Sequence, residues 1–199
     1  MSMMQLVDSK GNVLLEREKS HVAQARMSSV RTRHLSKGLK KTVHPVLWGK
    51  KSFSTPSLKT LRMATFKKEY PYIVDAIMTE CCIYSADGRK FRTDKAMWDT
   101  GADTTIISSR IVRELQLKPY KQGGIAGIGG ASDSNVYLVH ILVPTGDFVT
   151  NVEVMESDFE DYDVIVGMDV ITFGDLLVTN ADDKTIFQFR TPSEGGVKL

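Results

Sequence analysis

The chain of 199 residues is poor in cysteine, with only Cys81 and Cys82, and these are adjacent. Neighbouring Cα atoms lie about 3.8 Å apart, short of the ordinary disulfide span, so the two should not bridge each other. On a strand they would point to opposite faces, one buried as a small apolar residue and the other more exposed. The four histidines, His21, His34, His44 and His140, are scattered, and no His/Cys cluster has metal-ligand spacing. No stretch approaches the ~18 consecutive apolar residues of a membrane span, and the first residues carry no apolar signal core. The expectation is a soluble, cytoplasmic protein with no membrane partner. Internal repetition is also absent, because Asp99-Thr100-Gly101 occurs once and nothing in residues 110–199 resembles a second Asp-Thr/Ser-Gly.

What is present is unevenly charged. The formal charge is +2, yet residues 1–70 hold fifteen Lys and Arg against four Asp and Glu, while residues 71–199 hold eleven against twenty. Such a split marks a basic arm on an acidic domain. Residues 1–68 show no sustained hydrophobic period; Gly11-Asn12 suggests a turn before Val13-Leu14-Leu15, and a weak helical pattern runs from Glu16 to Met27. From Arg31 to Lys68 the composition is basic, Ser/Thr-rich and short of apolar clusters, which favours disorder. Three readings of this extension stand open. It is a nucleic-acid-binding arm with Trp48 and Phe53 stacking on bases, or a cleavable pro-segment, or the protein truly begins at Met63 and the extension is not native. The expected organisation is therefore a disordered extension over 1–68, a folded domain over 69–192 and a flexible tail over 193–199.

From Tyr72 the pattern becomes that of strands. Ile73–Tyr84 and Lys90–Trp98 flank Ser85-Ala86-Asp87-Gly88, where Asp-Gly signals a hairpin turn. Val136–Val143 reads as a long strand closed by Pro144-Thr145-Gly146-Asp147, and Phe148–Met155 alternates as a half-buried strand does. Short strands at close spacing with little helix predict a closed or sandwich-like β domain.

The second strand delivers Asp99-Thr100-Gly101-Ala102-Asp103 directly after Met97-Trp98. Asp-Thr-Gly arises by chance in roughly one chain of this length in thirty, so the tripeptide alone decides nothing. An ordinary turn, with Asp99 capping the loop and Gly101 at positive φ, would account for it. Three further features follow in order. Residues 108–117 read as a short helix with Ser at the N-cap and Ile111, Val112 and Leu115 on one face. Gly123–Gly130 is glycine-rich, and Val164-Ile165-Val166-Gly167-Met168-Asp169 is an apolar run ending in Gly. A phosphate-cradling loop is a poor rival for the glycine run, since no Lys-Ser/Thr follows it and no GxGxxG opens a helix.

Together with the closing stretches Leu176–Asn180 and Lys184–Arg190, these motifs resemble the retropepsin-like (retroviral-type, single-lobe) aspartic peptidases, especially the small bacterial members, over about residues 71–192. The resemblance implies a mainly β fold, a closed β-barrel half of the acid-protease type with one or two short helices, working as a homodimer. A two-lobed pepsin in one chain is excluded by the single motif. It further implies an aspartic endopeptidase without cofactor or metal, with Asp99, Thr100 and Gly101 catalytic. Ala102, Asp103, Gly127, Ile128 and Gly129 would bind an extended peptide substrate, the last three in a flap over it. Thr100 would bond across the dimer axis, Gly167 would let the chain pass close behind the catalytic loop, and Asp169 would cap the short helix that follows. In the viral enzymes the residue matching Asp103 pairs with an arginine, but that position here is Met168. Asp103 therefore takes another partner, binds substrate N–H groups or faces water. The rival readings are a catalytically silent dimerisation module of the same fold, and a retroelement-derived nucleic-acid-associated protein.

Overall fold

Period-two alternation and turn residues translate into strands throughout the computed structural model, which describes residues 3–18, 63–127 and 130–194. In chain order these form β1 (Met3–Val7), β2 (Val13–Glu18), β3 (Ala64–Tyr70), β4 (Met78–Tyr84), β5 (Lys90–Trp98) and β6 (Ile106–Ser108). Helix α1 (Ser109–Glu114) follows, then β7 (Lys121–Gly127), β8 (Gly130–Leu142), β9 (Phe148–Ser157) and β10 (Val164–Val166). Helix α2 (Met168–Ile171), β11 (Asp175–Ala181) and β12 (Lys184–Thr191) complete the described elements.

Strands β9, β6, β10, β5, β4 and β8 pair in that order, and β8 returns to β9. The result is a closed six-stranded barrel, which leaves no free edge within the ring. Two of its pairings are parallel, β10 with β5 and β6 with β9. The rest are antiparallel, and β4–β5 is the hairpin announced by Asp87-Gly88, with Gly88 at φ 86°. Strands β11, β12 and β3 make a separate sheet. Its inward Phe187 and Phe189 meet Trp98 at ring-centroid distances of 5.1 and 4.6 Å, joining the small sheet to the barrel in one apolar core.

The fold is mainly β with two short helices, as expected, but several local expectations change. Residues 3–18, placed by composition in a disordered extension, form a hairpin whose β1 pairs with β9 at Gln5–Thr150, Leu6–Val149 and Val7–Phe148. Met4 and Leu6 point into the core, Leu6 with no exposed surface. The apolar burial of alternate residues in so short a strand outweighs the surrounding charge. Glu16–Glu18, read as the start of a helix, belongs to β2, and residues 19–27 of that stretch lie outside the described residues. Residues 64–68 likewise belong to β3 rather than to the extension.

At the other end, Ser193 and Glu194 are not free tail. The Ser193 hydroxyl and the Glu194 N–H both donate to Asp175, at 2.6 and 3.1 Å. Residues 73–77, expected in a long strand, instead lie between β3 and β4, with the Val74 N–H donating to Thr185 Oγ1. Both cysteines are buried and reduced. Cys81 lies in the apolar core, where burial pushes its thiol pKa up. Cys82 is buried as well, with Arg92 of β5 and Leu142 of β8 as its cross-strand neighbours.

The hairpin's place in the core gives a direct test. Leu6→Ala deletes a fully buried side chain and should cost roughly 2–5 kcal/mol in denaturant unfolding of the full chain. A change below about 0.5 kcal/mol, the ordinary range for surface substitutions, would show that β1 does not pack there.

Candidate active site

Asp99 stands at the exit of β5, and its position is set by the residue before it. Trp98 is wedged against Phe187 and Phe189, its indole N–H donates to Thr79 Oγ1 at 2.8 Å, and its backbone N–H donates to Ile77 O at 3.0 Å. The Asp99 N–H then donates to Val166 O at 3.0 Å, continuing the parallel β5–β10 pairing by one residue. The sequence thus carries a large apolar anchor immediately before the carboxylate, and that anchor fixes where the chain leaves the barrel.

Beyond Asp99 the chain turns sharply. The Gly101 N–H donates to Asp99 Oδ1 at 2.8 Å and the Ala102 N–H to Asp99 O at 3.3 Å. Gly101 does not adopt positive φ. Glycine serves here because a Cβ would lie 3.1 Å from Asp99 Oδ1, crowding the carboxylate that its N–H orients. Asp99 itself is half-buried, while Thr100, Gly101 and Asp103 are exposed and Ala102 is intermediate. Asp103 has no hydrogen bond or ion pair among the described residues; Met168 meets the loop through its backbone N–H, which donates to Ala102 O at 2.8 Å.

The loop is held from behind by a buried carboxylate. Asp169, expected to cap α2, instead accepts from the Thr105 N–H at 3.0 Å and from the Thr105 hydroxyl at 2.6 Å. Thr105 Oγ1 in turn accepts from the Gly167 N–H at 3.1 Å. The N-cap position of α2 is Gly167 itself, with no side-chain cap. A carboxylate buried this deeply needs donors, and Thr105 supplies two where the helix start would have supplied one. Gly167 passes so close to the loop that a Cβ would fall 2.7 Å from the Thr104 carbonyl carbon, as the expectation of close passage requires. Thr105 and Trp98 were not singled out from sequence; the usable signal was a threonine flanked by Thr104 and the apolar Ile106-Ile107. Ser108 is the N-cap residue of α1, as read, but its buried hydroxyl makes no cap and has no partner among the described residues.

The glycine-rich stretch is a hairpin. Strands β7 and β8 pair from Lys121–Val136 to Gly127–Gly130, placing Gly127 at the hairpin end; Ile128 and Gly129 lie outside the described residues. From Gly130 to Asn135, β8 pairs only with β7, so this part stands off the barrel. Its root is close to the Asp99 loop. Met155 of β9 pairs with Val136 on one side and Ile106 on the other, and its N–H donates to Thr105 O at 3.1 Å. Two strand spacings, about 10 Å, therefore separate the hairpin root from the loop exit. Lys121 at that root pairs with the buried Glu153 at 2.7 Å. Gly123 is needed for close approach, since a Cβ would sit 2.7 Å from Val136 Cγ2. Among the described residues no group of three or more His, Cys, Asp or Glu is placed to hold a metal ion, and no helix is long and apolar enough to cross a membrane.

Because the Thr104 backbone leaves no room at Gly167, Gly167→Ala should destabilise the chain by roughly 1–3 kcal/mol, the cost of overpacking a tight interior. Thermal melting at neutral pH measures it. An unchanged melting temperature would mean that the loop and the Gly167 segment are not in this contact.

No protein-family model and no curated protein matches the chain. Among solved structures it is similar to a retropepsin-like aspartic protease from Rickettsia conorii, with 12% identity and a TM-score of 0.42 over 65% of this chain and 96% of that one. It is also similar to the protease of simian foamy virus, at 23% identity and a TM-score of 0.34 over 48% and 91% of the two chains. A third similar structure is the EIAV protease complexed with the inhibitor HBY-793, at 23% identity and a TM-score of 0.37 over 49% and 86%.

Proposed function

We propose that the chain is an aspartic endopeptidase whose catalytic centre forms when two copies bring their Asp99 carboxylates together at a two-fold axis. The observation that carries this reading is the presentation of Asp99: a half-buried carboxylate at a barrel-strand exit, oriented by the Gly101 N–H, in a loop whose outer residues are exposed. The loop occurs once per chain, and a two-fold interface places one residue twice at the same axis.

The chemistry follows from two adjacent carboxylates. Both cannot be charged at modest cost, so they share one proton and titrate as a coupled pair. The ionised member takes a proton from a water held between them, and that water attacks the scissile carbonyl. The protonated member donates a hydrogen bond to the carbonyl oxygen and later delivers its proton to the leaving amine. Thr100 braces the two loops across the axis. The β7–β8 hairpin, described as far as Gly127, covers an extended peptide, which adds as a strand and gains backbone hydrogen bonds, with Ala102 and Asp103 along its path.

Asp99→Asn keeps the size of the side chain and an oxygen for the Gly101 N–H but removes the base. It should abolish peptide hydrolysis, lowering kcat/KM by at least about a hundredfold, the scale of positioned acid–base catalysis, while the melting temperature stays nearly unchanged. The wild-type profile should be bell-shaped and acid to neutral, since one carboxylate must be protonated and its mate ionised. Turnover of a folded Asp99→Asn chain at the wild-type rate would reject Asp99 as catalytic. A folded wild-type chain that cleaves no peptide at any pH would favour a silent module of the same fold.

A further inference from the structure

We propose that the cavity on the outer face of the barrel, at the end of β5 remote from Asp99, binds a small organic anion with a short apolar tail. The cavity has a volume of about 310 Å³ and is walled by residues of β4, by Lys90 and Arg92 of β5, and by the end of β8 with the turn that follows it. This is the lower end of the range for small-molecule sites. Nine residue steps along extended β5, about 30 Å, lead from Lys90 to Asp99, so the cavity is distinct from the peptidase centre proposed above and does not rest on it.

Three features select the ligand. The wall carries two cations, Lys90 and Arg92, and a single carboxylate, Glu80. Glu80 is already paired with Arg92, whereas Lys90 makes no ion pair among the described residues. The cavity therefore has a surplus positive charge at its rim. The part of the wall made by Leu142, Val143 and Pro144 is apolar and suits an alkyl or aryl tail.

That wall is also pre-shaped. The Val143 N–H donates to Asp147 O at 3.0 Å and the Gly146 N–H to Val143 O at 2.9 Å. Gly146 sits at φ 88°, and the buried Asp147 carboxylate accepts from Thr191 Oγ1 at 2.6 Å. A turn pinned in this way loses little freedom when a ligand enters, which favours binding by a small molecule. Cys82 lines the same cavity with 7% of its surface exposed and gives a chemical reporter inside it.

The reporter makes the proposal testable on the intact chain. Iodoacetate and iodoacetamide both alkylate a thiolate, the sulfur displacing iodide from the CH₂ carbon after the thiol proton leaves to solvent, but only iodoacetate is an anion. Their rates at Cys82 are read by peptide mass spectrometry, with Cys82→Ser identifying the site and N-acetylcysteine amide as the free-thiol reference. The iodoacetate-to-iodoacetamide rate ratio should exceed the reference ratio at least threefold in the wild type. In Lys90→Gln, an exposed substitution whose melting temperature is checked first, it should fall back to the reference.

A second measurement needs no variant. Millimolar hexanoate should slow iodoacetamide labelling of wild-type Cys82 at least threefold, and hexanol, the neutral counterpart, should not. A reference-like ratio in the wild type, equal effects of hexanoate and hexanol, or no labelling of the native chain by either reagent would overturn the proposal.

Discussion

The geometry around Asp99 depends on one buried carboxylate. Asp169 receives both the N–H and the hydroxyl of Thr105, and the same hydroxyl oxygen receives the Gly167 N–H. These bonds join the loop after Asp99 to the segment after β10, while the Asp99 N–H joins β5 to β10 on the other side. Leaving a polar group this deeply buried without such bonds would be costly. The loop is thus tied at entry and exit, and the exposed residues between, Thr100, Gly101 and Asp103, face outward on a fixed frame.

The barrel uses that frame to bring distant segments together. Met155 lies between the hairpin root at Val136 and the loop exit at Ile106, so a single strand sets the spacing of the two elements. Trp98 does the same below, linking the last residue of β5 to the small sheet through Phe187 and Phe189. Both arrangements lie on the closed ring, in which β9 holds β8 on one edge and β6 on the other while β10, β5 and β4 complete the circuit back to β8.

Much of this was legible in the sequence because the signals are local. Asp87-Gly88 marked the β4–β5 hairpin, the apolar alternation of Phe148–Met155 marked β9, and Asp99-Thr100-Gly101 stood directly at the end of a strand whose limits, Lys90 and Trp98, were read correctly. What was misread depends on partners far along the chain. Asp169 resembles a helix cap until Thr105, 64 residues earlier, is folded against it. Strand alternation would leave one of Cys81 and Cys82 more exposed, yet both are buried, Cys82 between Arg92 of β5 and Leu142 of β8. The hairpin of residues 3–18 was hidden for the same reason: β1 is short, β2 carries Glu16 and Arg17, and the partner strand begins at Phe148. Its seat also bears on the N-terminal segment. A chain starting at Met63 would leave the edge of β9 at Phe148–Thr150 unpaired and remove Met4 and Leu6 from the core, so a strictly disposable segment would not include β1.

The central claim is that each folded chain supplies half of a catalytic centre. Titration of the purified chain with a statine-type peptide, a mimic of the tetrahedral intermediate, tests it most directly, because stoichiometry reports how many chains build one site. Saturation at one inhibitor per two chains, with loss of peptide hydrolysis at the same ratio, is the predicted result. Saturation at one inhibitor per chain, or hydrolysis persisting in a chain proven monomeric by sedimentation, would contradict the account.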